Sequence, residues 1–204
     1  MSQRSAISLW DRHAQQLVPA TLVDALDTGD VIQAALSWRP LIEARIQKLL
    51  ADGIPRSQWP EHLHWDWEAK ASAVAGLLAY QIMGIECEGA LQGMMLAATV
   101  GKVCHIPSQA GRPLVYIHFL ATAPWNDMEF VDPPRFGLVG KVFLAAAIQL
   151  SRDNGFRGRV GLHSLPQAEP FYHSSGMTDL GIDPNGENLR YFEMTPAQAQ
   201  TFLP

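Results

Sequence analysis

Three places in this 204-residue chain carry side chains whose types and spacing suit them to chemistry. His62-x-His64, flanked by Glu61 and Asp66, would share one face of a strand and so resembles a metal-ligand pair. The surrounding Trp59, Trp65 and Trp67 point instead to a packed connector, and no metal is expected. His163-Ser164 sets a base beside a hydroxyl, but adjacent strand residues face opposite ways and no nucleophile-elbow motif surrounds them. His163 is expected to face either a cleft or the core. The third place is the loop 125–137, which carries Arg135 near its end and opens directly into the apolar helix pattern of 138–155. The backbone N–H groups of Leu138, Val139, Gly140 and Lys141 would stand at that helix N-terminus, which favours an anion through local donors and the helix dipole. Arg135 and Lys141 would add positive charge there. Cys87 and Cys104 fit no metal or disulfide spacing and are expected as buried thiols.

The elements that must position these residues follow from periodicity. The first sixty residues are expected to be helical, with Gly29 and Pro40 breaking 17–53 into two or three short helices and Asp52-Gly53 closing the last. The apolar stripe Ile42, Ile46, Leu49 and Leu50 is taken as core, a homodimer contact being the alternative. After a connector (54–67) and a short Ala-rich helix (68–80), strands are expected at 80–89 and 91–100, joined at Glu88-Gly89-Ala90. The segment 114–124 is dense in aromatic and β-branched residues and suits a central strand. A helix over 138–155 stops at Asn154-Gly155, a strand covers 157–165, a short helix 166–177, and a hairpin turns at Pro184-Asn185-Gly186. One helix links the strands at 114–124 and 157–165, so they should run parallel, with the helix N-terminus facing a crevice.

Composition bounds the rest. At 48% apolar and 17% charged residues the chain can bury a core, about 70% of its unfolded surface at this size. No apolar run approaches the ~20 residues of a membrane span. Fifteen basic against 20 acidic residues leave a net charge of −5, which argues against duplex DNA or an anionic membrane as partner. The opening residues lack the apolar stretch of a signal peptide, so a cytoplasmic protein is expected.

The order of motifs from Val115 to Met177 resembles the GNAT superfamily of acetyl-CoA-dependent N-acetyltransferases. Arg135 is followed five residues on by Gly140 at the helix start, and Ala168-Glu169-Pro170-Phe171-Tyr172 is followed by Gly176-Met177. The resemblance extends over Tyr80 to Phe202. It implies an α+β fold: a mixed, mostly antiparallel sheet with a central parallel, splayed strand pair and flanking helices. Residues 67–204 would form the acyltransferase domain and 1–66 a helical N-terminal extension packed on it. This chain departs from the family pattern at Leu138, where a loop glycine is usual. Gly137 is the candidate to serve in a shifted register; without it the loop's hold on a phosphate is weakened.

The resemblance also implies roles. Leu120, Ala121 and Thr122 at the end of the central strand would pair with the pantetheine arm of coenzyme A. Arg135, Gly137, Leu138, Val139, Gly140, Lys141 and Phe171 would hold the rest of it. Tyr172 would protonate the leaving thiolate; its alternative is a core tyrosine. An ammonium acceptor must lose a proton before attack. His118 is favoured as the base, with Glu86, Glu88, Asp127 and Glu129 as rivals. Trp125 and Asn126 would line the acceptor site, or plug the loop. The activity implied is transfer of an acetyl group from acetyl-CoA to an amine, on a small molecule or a protein, by direct attack. Two alternatives stand beside it. One is a non-catalytic acyl-CoA-binding or protein-interaction module. The other is a toxin-like enzyme acetylating charged tRNA, which needs a basic surface that the net charge argues against.

Overall fold

The computed structural model describes residues 2–203. The chain forms two compact units. One takes the chain up to Leu77 with Ile82–Met94 and Ala121–Val139; the other takes Leu78–Gln81, Met95–Leu120 and everything from Gly140 onward.

The first unit begins with strands, not helices. Strands β1 (Arg4–Asp11) and β2 (Gln16–Val23) pair antiparallel along their full length, from Arg4↔Val23 to Asp11↔Gln16. Exposure alternates along β1, with Leu9 fully buried, which is the two-residue period of a sheet. The carboxylate of Asp11 accepts from the N–H groups of His13 and Ala14 (2.8 and 3.0 Å), and Gln15 takes φ 52°, so the turn is closed locally. The helical reading of the first sixty residues thus fails over 4–23. Apolar positions at 17, 18, 20, 22 and 23 satisfy either period, and the partner strand decides.

Helix α1 (Thr28–Ala51) opens on a capping box between Asp27 and Asp30. It is one helix, and Pro40 does not break it. The carbonyl that Pro40 leaves without a donor belongs to Leu36, which is exposed, so water can satisfy it. Ile42, Ile46 and Leu49 pack on Trp59 and Leu63, so the stripe is core, whereas Leu50 is exposed. The connector after α1 forms two 3-10 turns, Arg56–Gln58 and Glu61–His64, and α2 spans Trp67–Val74. Strand β3 (Tyr80–Cys87) pairs with β2 at Thr21↔Glu86 to Val23↔Gly84. Glu88 and Gly89 both have positive φ (52° and 76°), as a two-residue turn into β4 (Ala90–Ala98) requires. Further on, β6 (Phe136–Gly137) returns to pair with Trp10 and Asp11 of β1.

The second unit is built on β5 (Val115–Thr122), β7 (Val160–Ser164), β8 (Thr178–Asp183) and β9 (Leu189–Met194), with α3 (Val139–Asp153), α4 (Glu169–Ser174) and α5 (Pro196–Phe202). β5 and β7 run parallel; β7 with β9 and β8 with β9 run antiparallel. Its core includes Phe143, Leu144, Ile148, Leu162, Phe192 and Met194, none more than 1% exposed. Among the described residues nine strands follow the order β6-β1-β2-β3-β4-β5-β7-β9-β8, a mixed, mostly antiparallel sheet with one parallel pair, as the resemblance implied. Among the described residues no helix is long and apolar enough to cross a membrane.

Candidate active site

The parallel pair supplies the site's main geometric feature. The β5–β7 ladder holds only three pairs, Val115↔Val160, Tyr116↔Gly161 and Ile117↔Leu162. Both strands continue past it, β5 to Thr122 and β7 to Ser164. Beyond Ile117 the two strands are no longer bonded to each other, so β5 presents backbone donors and acceptors on that side. Leu120 lies in this open stretch.

Residues directly opposite on neighbouring strands share a face. Ile117, Leu162 and Phe192 form one such row, and the Tyr172 ring lies 5.6 Å from that of Phe192. Tyr116, His163 and Tyr191 belong to the other face, and so does His118, two residues after Tyr116. The two residues expected to move protons therefore stand on opposite faces of the sheet. Only where the strands part can both reach one atom.

Tyr172 is buried against Phe171 and Phe192, and burial pushes its phenol far above the usual range. A phenol so placed keeps its proton at neutral pH. His118 is half-buried between Tyr80 and Tyr116, with ring centroids 5.7 and 4.7 Å away. Burial, seconded by Lys102, lowers its pKa to about 4. It is neutral at pH 7, but it is a poor resting place for a proton. Passing one to it from an ammonium of pKa near 10.4 is uphill by about a millionfold.

At the head of α3, Gly140 lies under Phe171, whose Cζ would stand 3.1 Å from any Cβ there. The absent side chain thus lets the Phe171 ring close onto the first turn of α3. Lys141, next along, is exposed.

The loop before α3, within the first unit, departs from expectation. Gly137, the candidate for a shifted register, is held in β6 opposite Trp10 and does not take the left-handed backbone. Leu138 itself takes the left-handed conformation (φ 74°), where a glycine would sit without strain. Arg135 is drawn to carboxylates: its guanidinium is 2.6 Å from Glu88 and 3.8 Å from Asp11, and it lies over the Phe136 ring. The charge expected for a phosphate is already balanced.

Trp125 and Asn126 are turned inward. The Trp125 indole N–H donates to Gln92 Oε1 (2.7 Å), and the Asn126 amide donates to Gln92 Oε1 and O (3.0 and 3.1 Å). Asn126 Oδ1 accepts from the Phe136 N–H (2.9 Å). These groups clamp the loop: both Asn126 Nδ2 bonds go to Gln92, and its Oδ1 accepts from Phe136. Ala121 and Thr122 end β5 half-buried, ahead of Ala123, whose N–H donates to Gln92 O. Among the rival bases, Glu129 pairs with Arg45 (3.0 Å), Asp127 with His62 (3.5 Å), and Glu86 with Arg4. Among the described residues no group of three or more His, Cys, Asp or Glu could hold a metal. Cys87 and Cys104 are buried, and burial raises both thiols.

One polar chain escaped the sequence reading. The Tyr116 hydroxyl is 2.6 Å from His163 Nδ1, and His163 Nε2 is 3.0 Å from Asp183 Oδ2. The only sequence signal was the Tyr116-x-His118 alternation on the central strand, since Asp183 arrives from the far hairpin.

No family model and no curated protein matches the chain. Solved structures do. A GNAT-family acetyltransferase from Listeria monocytogenes superposes with a TM-score of 0.55 at 15% identity, covering 93% of this chain and 99% of that one. RimJ of Mycobacterium smegmatis, solved with CoA-disulfide, gives 0.53 at 14%, covering 98% and 93%. A bacterial toxin gives 0.50 at 14%, covering 67% and 79%. The chain has the GNAT fold.

Proposed function

We propose that this protein transfers an acetyl group from acetyl-CoA to an amine by direct attack within a ternary complex. The observation that carries the reading is the three-pair parallel ladder that stops at Ile117↔Leu162 while both strands run on. It leaves a strand edge onto which the amides of a pantetheine arm can add as a further strand. The first turn of α3, with Gly140 under Phe171 and Lys141 exposed, suits the diphosphate at the other end of the same cofactor.

In the reaction the amine nitrogen attacks the thioester carbon. The C–N bond forms, the C–S bond breaks, and coenzyme A leaves as a thiolate. Tyr172, which holds its proton, supplies it to that sulfur and in the same step recovers one from the attacking nitrogen, which becomes the amide N–H, so no buried phenolate is left. A backbone N–H near Leu120 polarises the carbonyl as negative charge develops on its oxygen. The acceptor is an amine of a small molecule or a protein, and the acidic balance of the chain favours a cationic one.

A second reading, an acyl-CoA-binding module without turnover, is favoured by two observations: Leu138 at φ 74° in the phosphate loop, and His118 too weak a base to keep a proton. Calorimetric titration with acetyl-CoA, followed by thiol release with a panel of amines, separates them. Micromolar binding with amine-dependent release is the expected result. Binding without release from any amine selects the second reading, and no binding at millimolar acetyl-CoA overturns both.

A further inference from the structure

Tyr116, His163 and Asp183 form a continuous hydrogen-bonded chain across one face of the second unit. The direction of its bonds follows from its outer end. Asp183 is held ionised, chiefly by the hydrogen bond from His163 and then by the Asn185 N–H. It therefore accepts from His163 Nε2–H, which leaves Nδ1 with a bare lone pair, and Nδ1 accepts from the Tyr116 hydroxyl. The turn between β8 and β9 is shaped for this: a Cβ on Gly186 would collide with the His163 ring. The inner end of the chain meets His118, whose ring stands edge-on to Tyr116 at 4.7 Å. The outer end, Asp183, reaches partly into solvent.

We propose that Tyr116 and His163, oriented by Asp183, are the relay that carries the acceptor's proton away from the site. This rests on the acetyl-transfer reading above. The ammonium gives its proton, through the neutral imidazole of His118 or a water beside it, to the Tyr116 oxygen. In the same movement the Tyr116 hydroxyl proton passes to His163 Nδ1. The imidazolium so formed is balanced by the Asp183 carboxylate and discharges to solvent at the β8–β9 turn. The neutral amine then attacks, and its second proton leaves with the thiolate through Tyr172. His118 is thereby a link and never the resting place of the proton. Tyr116, pushed up to about 12 mainly by burial, shuttles without ionising.

The charged and titratable groups around this chain are few. Lys102 Nζ lies 4.6 Å over the Tyr116 ring. The Tyr191 ring packs at a tilt against His163, and His105 against Tyr191 (centroids 4.7 and 4.9 Å apart). Glu187 acts on Tyr116 from the turn, and Cys104 packs beside it. Glu193, fully buried, accepts from the N–H groups of His105 and Ile106, which fastens the loop covering this face.

The test is the pH dependence of transfer in Tyr116→Phe, which keeps the ring and deletes the hydroxyl, with Asp183→Asn as the second variant. The probes are acetyl-CoA with n-butylamine, spermidine and Nα-acetyl-lysine, and acetyl-CoA affinity is read separately by calorimetry. At pH 7 both variants should bind acetyl-CoA as wild type does and turn over ten-fold or more slowly. The deficit should shrink as pH rises and vanish near the amine's own pKa, where the acceptor arrives already neutral. A deficit independent of pH, or no deficit, overturns the relay, whereas acetyl-CoA bound by the wild-type protein with no transfer to any probe overturns the acetyl-transfer reading and the relay with it. Loss of acetyl-CoA binding by the wild-type protein overturns the acetyl-transfer reading beneath it instead.

Discussion

Leu138 holds a left-handed backbone in the loop that opens α3, at a position where its Cβ adds strain on the order of 1–2 kcal/mol. Leu138→Gly removes that strain, partly offset by the greater freedom of glycine in the unfolded chain. A net stability gain on the order of 0.5–1 kcal/mol is expected from urea unfolding, and, on the acetyl-transfer proposal, tighter acetyl-CoA binding as well. A weaker complex would show that the leucine side chain itself contacts the cofactor. His118 makes a second prediction at this scale. Burial keeps it neutral in the folded protein down to about pH 4, while the unfolded chain protonates it near 6.5. The unfolded state therefore binds more protons between those values, and stability falls as pH drops from about 6.5 to 4. His118→Phe should flatten this part of the stability–pH curve; an unchanged slope would place the titration elsewhere.

Among the elements, the loop before β6 depends on Gln92. Its side chain is almost wholly buried, donates to the carbonyls of Cys87 and Ala90, and accepts from Trp125 and Asn126. Gln92→Leu would leave the Trp125 and Asn126 donors buried without that acceptor, at about 1–3 kcal/mol for each group. The expected outcome is a lowered melting temperature, and a variant as stable as wild type would mean that water replaces the amide. Which elements could be foreseen follows from how local their determinants are. The helix of 138–155, the central strand at 114–124 and the turn at Glu88-Gly89 each carry their signal within one window. Pro40 misleads because its exposed neighbour, not the proline, decides whether a helix survives it. β6 has two residues, and nothing in them announces that Gly137 will pair with Trp10.

At the scale of the whole chain, the β1–β2 hairpin is more than an extension. It pairs with β3 through Thr21–Val23 and with β6 through Trp10 and Asp11, immediately ahead of Leu138. Deleting residues 2–25 removes the buried Leu9, Ala20 and Val23 and strips β6 of its partner. Aggregation, or loss of acetyl-CoA binding, is expected by light scattering and calorimetry. A soluble truncation with unchanged affinity would show that the hairpin is dispensable.

Sequence alone was enough for the class of fold. Helix periodicity, turn residues and the spacing of Arg135, Gly140, Phe171 and Tyr172 are properties of neighbouring residues, and the chain keeps them wherever it goes. Tertiary structure decided the partnerships. It turned Arg135 onto Glu88 and Asp11, closed Asn126 onto Gln92, held Gly137 in a strand and so made Leu138 take the strained conformation. It also brought Asp183 to His163 and His163 to Tyr116. A side chain's charge and proton affinity depend on which groups and how much water lie within a few ångströms, and for these residues the neighbours come from distant parts of the chain.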